Sequence, residues 1–431
     1  MNYGELANIH YKPRCIDQMI SSSLEVFGAV LIRGPKYCGK TWSGRNHANS
    51  EATLMPTLEN PSPLEMYKAA PSLALRGKSP HLIDEWQELP QLWDIVRSTV
   101  DQTAKERKFI LTGSSTPRNN KPSHSGVGRI ERIFLRPMTL SESGESSNEI
   151  SLARLFKEET AIEGISKRYT PEQMAALAVR GGWPATLDVS FDNLQVLPKS
   201  YITSFIEEDM HKVDDKKRDK GKMERLLRSL ARNTEQASTA KTLIKDMTAS
   251  AADAPLADET IDDYMDVLKR AFILEEIGPW SPNVRSPLRI NKKPKYHFVD
   301  PSLPAAILGV TQQQLLNDFE MFGFVFECMC TRDLLVYTEA MGGSLYYYRD
   351  RDDLEIDAVI QAPDGAWGGI EIKLGHNQAD KAAANLLKMS NKIMSAGGRQ
   401  PAFLMVLEGL GQFAYTREDG VHIVPLGTLC A

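Results

Sequence analysis

Gly34, Pro35, Lys36, Tyr37, Cys38, Gly39, Lys40 and Thr41 fill every position of the pattern G-x-x-x-x-G-K-[ST]. Glycines at its ends let the backbone curl so that its N–H groups face a phosphate, and a helix starting at the threonine adds a field that favours anions. In such a loop Lys40 reaches the β- and γ-phosphates of ATP and Thr41 turns its hydroxyl to Mg2+. The stretch expected to touch the nucleotide runs on to Trp42. About forty residues downstream, "HLIDEWQ" ends an apolar run on Asp84, where a carboxylate holds Mg2+ through water. Glu85 follows directly and is the candidate to orient and deprotonate the attacking water. In "FILTGSS", Thr112 and Ser114 are candidates to sense the γ-phosphate. Arg129, after a glycine-rich stretch, is a candidate to place positive charge on the transition state, in its own or a neighbouring subunit; a structural or substrate role is the alternative.

A second constellation lies near the C-terminus. "LEIDAVIQ" puts Glu355 and Asp357 on one face of a strand, because side chains alternate with period two, and "GIEIKLG" does the same for Glu371 and Lys373. Two carboxylates converging at a sheet edge can hold a second Mg2+, and a nearby lysine can position water and stabilise a pentavalent phosphate. This D…E-x-K pattern resembles the signature of the PD-(D/E)XK nuclease fold. Glu327, on an apolar helix upstream, stands where such folds often place another acidic ligand. Cys328 and Cys330 form C-x-C without a second Cys or His cluster nearby, so packing is expected of them, and the dispersed histidines show no metal-ligand spacing.

These side chains need elements to carry them. "GAVLIRG", "PHLIDEW" and "KFILTGSS" read as buried strands separated by helix-length segments, which predicts an α/β domain with a parallel sheet. From about residue 152 the pattern is helical, interrupted by the two glycines and the proline of "RGGWPATL". "KMERLLRSLARN", "STAKTLIKDM" and "DETIDDYMDVLKRAFILEEI" then read as three helices, followed by a basic hairpin ending in "YHFVDPSL". Helix, short helix, longer helix and hairpin is the order of a winged helix-turn-helix. The apolar helix "LLNDFEMFGFVFECMC", three strand-like pieces, a further helix and "PAFLMVLE" predict a separate α/β domain at the end.

The 431 residues suffice for several domains, each with its own core. No run of eighteen apolar residues predicts a membrane span, no secretory signal opens the chain, and five scattered cysteines fit reduced thiols, so a cytoplasmic location is expected. A net charge of −5 gives no global attraction for nucleic acid. Local basic clusters exist at Arg285 to Lys295 and Lys216 to Asn233, with a solvated face as the plain alternative.

With these motifs in hand, the chain resembles prokaryotic AAA-type ATPases fused to the domain of unknown function 4143. The likeness rests on "GPKYCGKT", "HLIDEWQELP", "FILTGSSTP", "GRIERIFLRPMTLSESGE", "GGWPATL", "YHFVDPSL" and "GIEIKLG". It implies a P-loop ATPase domain at 1–145 with an additional strand between the phosphate-loop strand and the Asp84 strand. A helical lid at 146–215, a winged helix at 216–300 and a nuclease-like domain at 301–431 would follow. It carries Lys40, Thr41, Asp84 and Glu85 over as the ATP site, and Asp357, Glu371 and Lys373 as the nuclease-like site. Two functions follow as expectations. One is an ATP-hydrolysing protein that acts on or near DNA. The other is a nucleotide-dependent switch or interaction module whose nuclease-like domain is an inactive scaffold. Related ATPases often assemble, so a homo-oligomer is compatible with either.

Overall fold

The computed structural model describes residues 11–58, 61–114, 125–157, 161–213, 216–248, 258–283, 286 and 293–431. Most of the basic stretch from Arg285 to Lys295, and Ser115 of "FILTGSS", lie outside the described residues. The chain divides into two compact units. The first comprises 1–137, 208–218 and 267–272, and the second 138–207, 219–266 and 273–431.

The first unit is built on a five-stranded sheet of β1 (Ala29–Arg33), β2 (Ser50–Thr53), β3 (His81–Asp84), β4 (Phe109–Gly113) and β5 (Ile130–Phe134), in the order β2-β3-β4-β1-β5. Every pairing is parallel. The three inner strands are the apolar runs of the sequence, because a parallel strand covered on both faces has no polar side to show. β4 separates β1 from β3, which is the additional strand that the sequence likeness implies. β2 reads "SEAT" and β5 "IERIF"; both are edge strands, so neither carries a continuous apolar run. The helix Gln91–Gln102 buries Leu92, Trp93, Val96 and Val100 on one side, at helical spacing. There the Trp93 ring lies 5.1 Å from that of Trp86. Two later segments complete the unit: Phe272 packs its ring 5.3 Å from Phe134, and Arg270 donates to the Val213 carbonyl at 2.9 Å.

The second unit carries two short strands, β6 (Ile150–Ser151) and β7 (Glu163–Ile165), and then helices before the remaining strands of its main sheet, of which β7 is one edge. Helices Lys220–Arg232, Ala240–Met247 and Asp258–Arg270 come in that order, the last turn of the third being grouped with the first unit. Asp219 and Thr239 cap the first two by accepting from backbone N–H groups. Met223, Leu226, Leu227 and Leu230 form the buried stripe of the first. An antiparallel hairpin of β8 (Leu274–Ile277) and β9 (Lys295–Phe298) follows. The main sheet adds β10 (Ser344–Arg349), β11 (Glu355–Gln361), β12 (Trp367–Lys373), β13 (Phe403–Glu408), β14 (Phe413–Thr416) and β15 (His422–Pro425), while β16 (Leu429–Cys430) pairs with β6. Its order is β10-β11-β12-β13-β15-β14-β7, antiparallel at both ends and parallel in the middle. The helices Phe319–Ala340 and Ala379–Ser395 belong to this unit.

A buried polar network explains two motifs that carry no chemistry of their own. Asp300 of "VDPSL" accepts from the Gly182 N–H at 2.9 Å and from Arg332 at 3.0 Å. Arg332 also grips Asp333, which accepts from the Leu140 N–H at 3.0 Å. Trp183 donates its indole N–H to Ser302 at 2.9 Å. A Cβ on Gly182 would lie 2.0 Å from the Met138 carbonyl oxygen, so "GGW" is a close backbone approach that only glycine permits.

Candidate functional site

The phosphate-loop candidates leave the C-terminal end of β1 and run into the helix Lys40–His47. Gly39 and Tyr37 adopt left-handed backbone conformations, with φ of 103° and 63°. That sequence of turns curls the loop around its own centre. No side chain caps the helix at Gly39, so its first N–H groups remain available to a ligand. Lys40 is buried and folds back to donate to the Pro35 carbonyl at 2.7 Å. Cys38 faces inward, its thiol donating to the Leu135 carbonyl at 3.3 Å, while Tyr37 and Trp42 are exposed. A Cβ on Gly34 would lie 2.1 Å from the same Leu135 oxygen. Lys36 instead turns to Asp209 in the segment 208–218, at 2.7 Å.

Asp84, at the end of β3, is buried and accepts from the Thr41 hydroxyl at 2.9 Å and the Thr112 hydroxyl at 2.6 Å. It has no Lys, Arg or His ion-pair partner among the described residues. A carboxylate held by two hydroxyls beside an uncapped helix start and an inward-folded lysine is a donor set that suits Mg2+ with a polyphosphate. Glu85 adopts φ 58°, an uncommon conformation for a residue with a side chain. Its N–H donates to Thr112 at 3.0 Å, and its carboxylate accepts from Ser114 at 3.2 Å and from the Gln87 amide. Thr112 and Ser114 thus tie β4 to the Asp84–Glu85 step.

Two residues of this site escaped the sequence reading. Gln87 touches both Glu85 and Ser114, and only its place in "DEWQ" hinted at this. Arg14, buried, donates to the carbonyls of Cys38 at 2.9 Å and Arg136 at 2.7 Å, bracing the loop from behind. No pattern marks it. Arg129 requires a correction. Its carbonyl accepts from the N–H of Ala29, the first residue of β1, so it lies at the opposite end of the sheet from the phosphate loop, paired with Asp101 at 2.8 Å. It cannot serve the loop of its own chain.

In the second unit, β11 and β12 bring Asp357, Glu371 and Lys373 together. The Lys373 ammonium donates to Asp357 at 2.9 Å and pairs with Glu371 at 2.6 Å. Asp357 also accepts from the Ile372 N–H at 2.7 Å, and Glu371 from Asn385 at 3.2 Å. Burial pushes the Asp357 carboxyl up, but the Lys373 and Lys295 ammoniums and the Ile372 N–H overcome it and hold it below its usual range. Glu371 is pushed up to about 7 by burial and by the Asp357 charge, against the pull of Lys373. Lys295, on β9, completes the cluster and was read from sequence only as part of a basic hairpin. It is 2% exposed, 2.9 Å from Glu355 and 3.4 Å from Glu327. Glu327, expected beside Asp357 and Glu371 as a third ligand, takes this lysine as its partner. Burial pushes Glu327 up to about 8, with Lys295 pulling it down. The oxygens of Glu327, Asp357 and Glu371 do not gather within 4.8 Å of one another. Asp357 and Glu371 share the single Lys373 ammonium, and their hard carboxylate oxygens are donors of the kind a divalent cation takes.

Cys328 meets His297 and Glu235 in the interior, an association that their sequence separation conceals. His297 lies 2.5 Å from Glu235, Thr331 donates to the other Glu235 oxygen at 3.3 Å, and the Cys328 thiol donates to the Phe298 carbonyl at 3.3 Å. These bonds make the cluster a hydrogen-bonded brace.

Residues 27–144 match the family described as AAA domain, and residues 322–429 match the domain of unknown function (DUF4143). The N-terminal part of the chain is thus similar to AAA domains and the C-terminal part to DUF4143. A further domain of unknown function (DUF8612) matches residues 171–314. Two uncharacterized proteins, one of Mycobacterium bovis and one of Mycobacterium tuberculosis, are each 26% identical to it over 80% of its length and 70% of their own. A Walker-type ATPase of Pyrococcus abyssi is similar at 14% identity, with a TM-score of 0.42, over 68% of this chain and 94% of that one. Among the described residues no helix is long and apolar enough to cross a membrane.

Proposed function

We propose that this ATPase acts on or near DNA, with its nucleotide state controlling a winged helix at 216–300 and a nuclease-like domain at 301–431. The observation that carries the nucleotide part is Asp84 gripped by the Thr41 and Thr112 hydroxyls beside the uncapped start of the helix Lys40–His47. Lys40 would leave the Pro35 carbonyl for the β- and γ-phosphates, and Thr41 and Asp84 would hold Mg2+. The metal supplies neutralisation of phosphate charge. Glu85, oriented by Ser114 and Gln87, would align and deprotonate water, and Thr112 would report loss of the γ-phosphate through its bonds to Asp84 and the Glu85 N–H. The DNA part is supported by three helices followed by the β8–β9 hairpin, and by the Asp357–Lys373–Glu371 cluster. There Asp357 and Glu371 would hold a divalent cation and Lys373 would orient water toward a phosphodiester.

Phosphate release by wild type, Lys40→Ala and Glu85→Gln, with and without duplex DNA, tests the first part. Turnover that both substitutions remove and DNA stimulates is expected; turnover unaffected by Lys40→Ala refutes the assignment. Filter binding over a salt series tests the second, since phosphate contacts make affinity fall with salt. Incubation of plasmid with Mg2+ or Mn2+, for wild type and Lys373→Ala, tests the third. Nicking that vanishes in the variant supports a nuclease. No cleavage under any condition leaves a nucleotide-dependent switch carrying an inactive scaffold.

A further inference from the structure

A second lysine lies inside the acidic cluster of the C-terminal domain, contributed by a hairpin strand far upstream in sequence. Lys295 lies on β9, and the alternation of that strand turns Lys295 and His297 to the same side, both into the interior. The ammonium lies 2.9 Å from Glu355, 3.4 Å from Glu327 and 5.5 Å from the centroid of the Tyr347 ring, and it also feels the Asp357 charge. Lys373 meanwhile bridges Asp357 and Glu371. The ion pairs therefore fall into two groups, Lys295 with Glu327 and Glu355 and Lys373 with Asp357 and Glu371, with Arg349 3.8 Å from Glu355 at the edge of the first. The two groups differ in one respect. Lys373 is the last residue of β12 and its side chain is partly exposed, so its ammonium can swing away and leave its carboxylates to a metal. The Lys295 side chain is 3% exposed, and its alternative to this pairing is a bare ammonium in the protein interior.

We propose that Lys295 is a resident cation that holds Glu327 and Glu355 and limits this pocket to a single divalent cation, bound by Asp357 and Glu371. The inference rests on the metal-binding reading of that pocket given above. A fixed ammonium and a divalent ion cannot share the Glu327–Glu355 half, because like charges a few ångströms apart in a poorly hydrated site repel strongly. A hard divalent cation gathers several oxygen ligands, and Glu327 and Glu355 offer theirs once the lysine is gone, the Glu327 proton leaving to solvent as the ion binds. Lys295 is thus a positioning residue: it sets where the metal binds and how many ions bind, without being required to touch a substrate.

The test counts metal. The full chain carrying Asp84→Asn, which silences the phosphate-loop metal position, is titrated with Mn2+ without nucleotide, and free Mn2+ is read from its electron paramagnetic resonance signal. The expected result is one ion per chain, lost in Asp357→Asn, and two ions per chain in Lys295→Met, while Lys295→Arg stays at one. Glu327→Gln, a mild change, is expected to leave the affinity of the first ion within about threefold, because that residue serves the lysine. Two ions in the Lys295-containing protein overturn the proposal, as does a tenfold loss of affinity in Glu327→Gln or a Lys295→Met protein that folds and still binds one. No Mn2+ bound at all overturns the metal-binding reading itself, a distinguishable outcome. If Lys295→Met does not fold, the count in the Lys295-containing protein and the Glu327→Gln affinity still decide the matter.

Discussion

Replacing Lys295 by Met removes an ammonium while keeping much of the side chain's bulk, and the cost follows from its surroundings. At 2.9 Å from Glu355, the attraction is about 6 kcal/mol at an effective dielectric of about 20. The Glu355 side chain is 35% exposed, so water screens part of that, and Met escapes the desolvation that the ammonium suffers. The net loss expected near neutral pH is about 2–3 kcal/mol. Its pH dependence is the sharper prediction. Glu327, pushed up to about 8, is already protonated in the folded wild type at pH 6.5 and needs little from Lys295 there. Above pH 8 the folded wild type ionises Glu327 with the lysine's help, as the unfolded chain has already done above about pH 4.5, so the group adds no further slope. The variant must keep the proton when folded and release it when unfolded, so its stability falls by at most about 1.4 kcal/mol for each further pH unit. Urea unfolding at pH 6.5, 8 and 9, followed by the fluorescence of the buried Trp280 and Trp367, measures both quantities. The double variant Lys295→Met/Glu327→Gln should lose the extra slope. A penalty below about 0.5 kcal/mol, or one that does not grow with pH, would refute the view of Lys295 as the counterion of Glu327.

Further outcomes are expected. Glu85→Gln should lower phosphate release about 100-fold and Gln87→Ala about 10-fold, both leaving ATP affinity nearly unchanged; equal losses of affinity in a nucleotide titration would contradict the roles assigned. Arg14→Ala should destabilise the first unit by about 2–3 kcal/mol and weaken ATP binding about tenfold, because the Cys38 carbonyl loses its brace; unchanged binding by a folded variant would count against it. In chelator, Glu371 and Glu327 hold protons in the folded state that the unfolded chain releases above about pH 4.5. Stability should therefore fall as pH rises, through about 7 for Glu371 and about 8 for Glu327, at up to about 1.4 kcal/mol per unit per group. Glu371→Gln should flatten the first of these slopes in thermal unfolding, and a rising stability over that range would reverse the sign and refute it.

The legible parts of the sequence were those where one side chain or one backbone property leaves a local mark. β1, β3 and β4 announce themselves because inner strands are apolar throughout, and the phosphate loop because glycine and lysine recur at fixed spacing. β2, with the polar sequence Ser50–Thr53, stays silent because an edge strand needs little burial. Lys295 was misread for a different reason: a buried lysine and a solvated one look alike until their partners are known, and Glu327 and Glu355 are thirty residues or more away. One local signal did exist. Lys295 shares its strand face with His297 and leads into "FVD", an unusual place for a solvent-facing charge. Arg14 and Gln87 act through carbonyls and amides, which no residue pattern records.

The division of the chain has a consequence for how the protein is born. The first unit takes 208–218 and 267–272 from beyond the ATPase family match, and with them Asp209, the partner of Lys36, and Phe272, which covers Phe134. A ribosome that has released residue 144 has therefore not yet supplied everything this unit packs against. Domains usually fold in order as they emerge; here the sheet of the first unit must wait until residue 272 has been made. A fragment trimmed to the family boundary would lack the same pieces, and its failure to fold would say nothing about the intact enzyme.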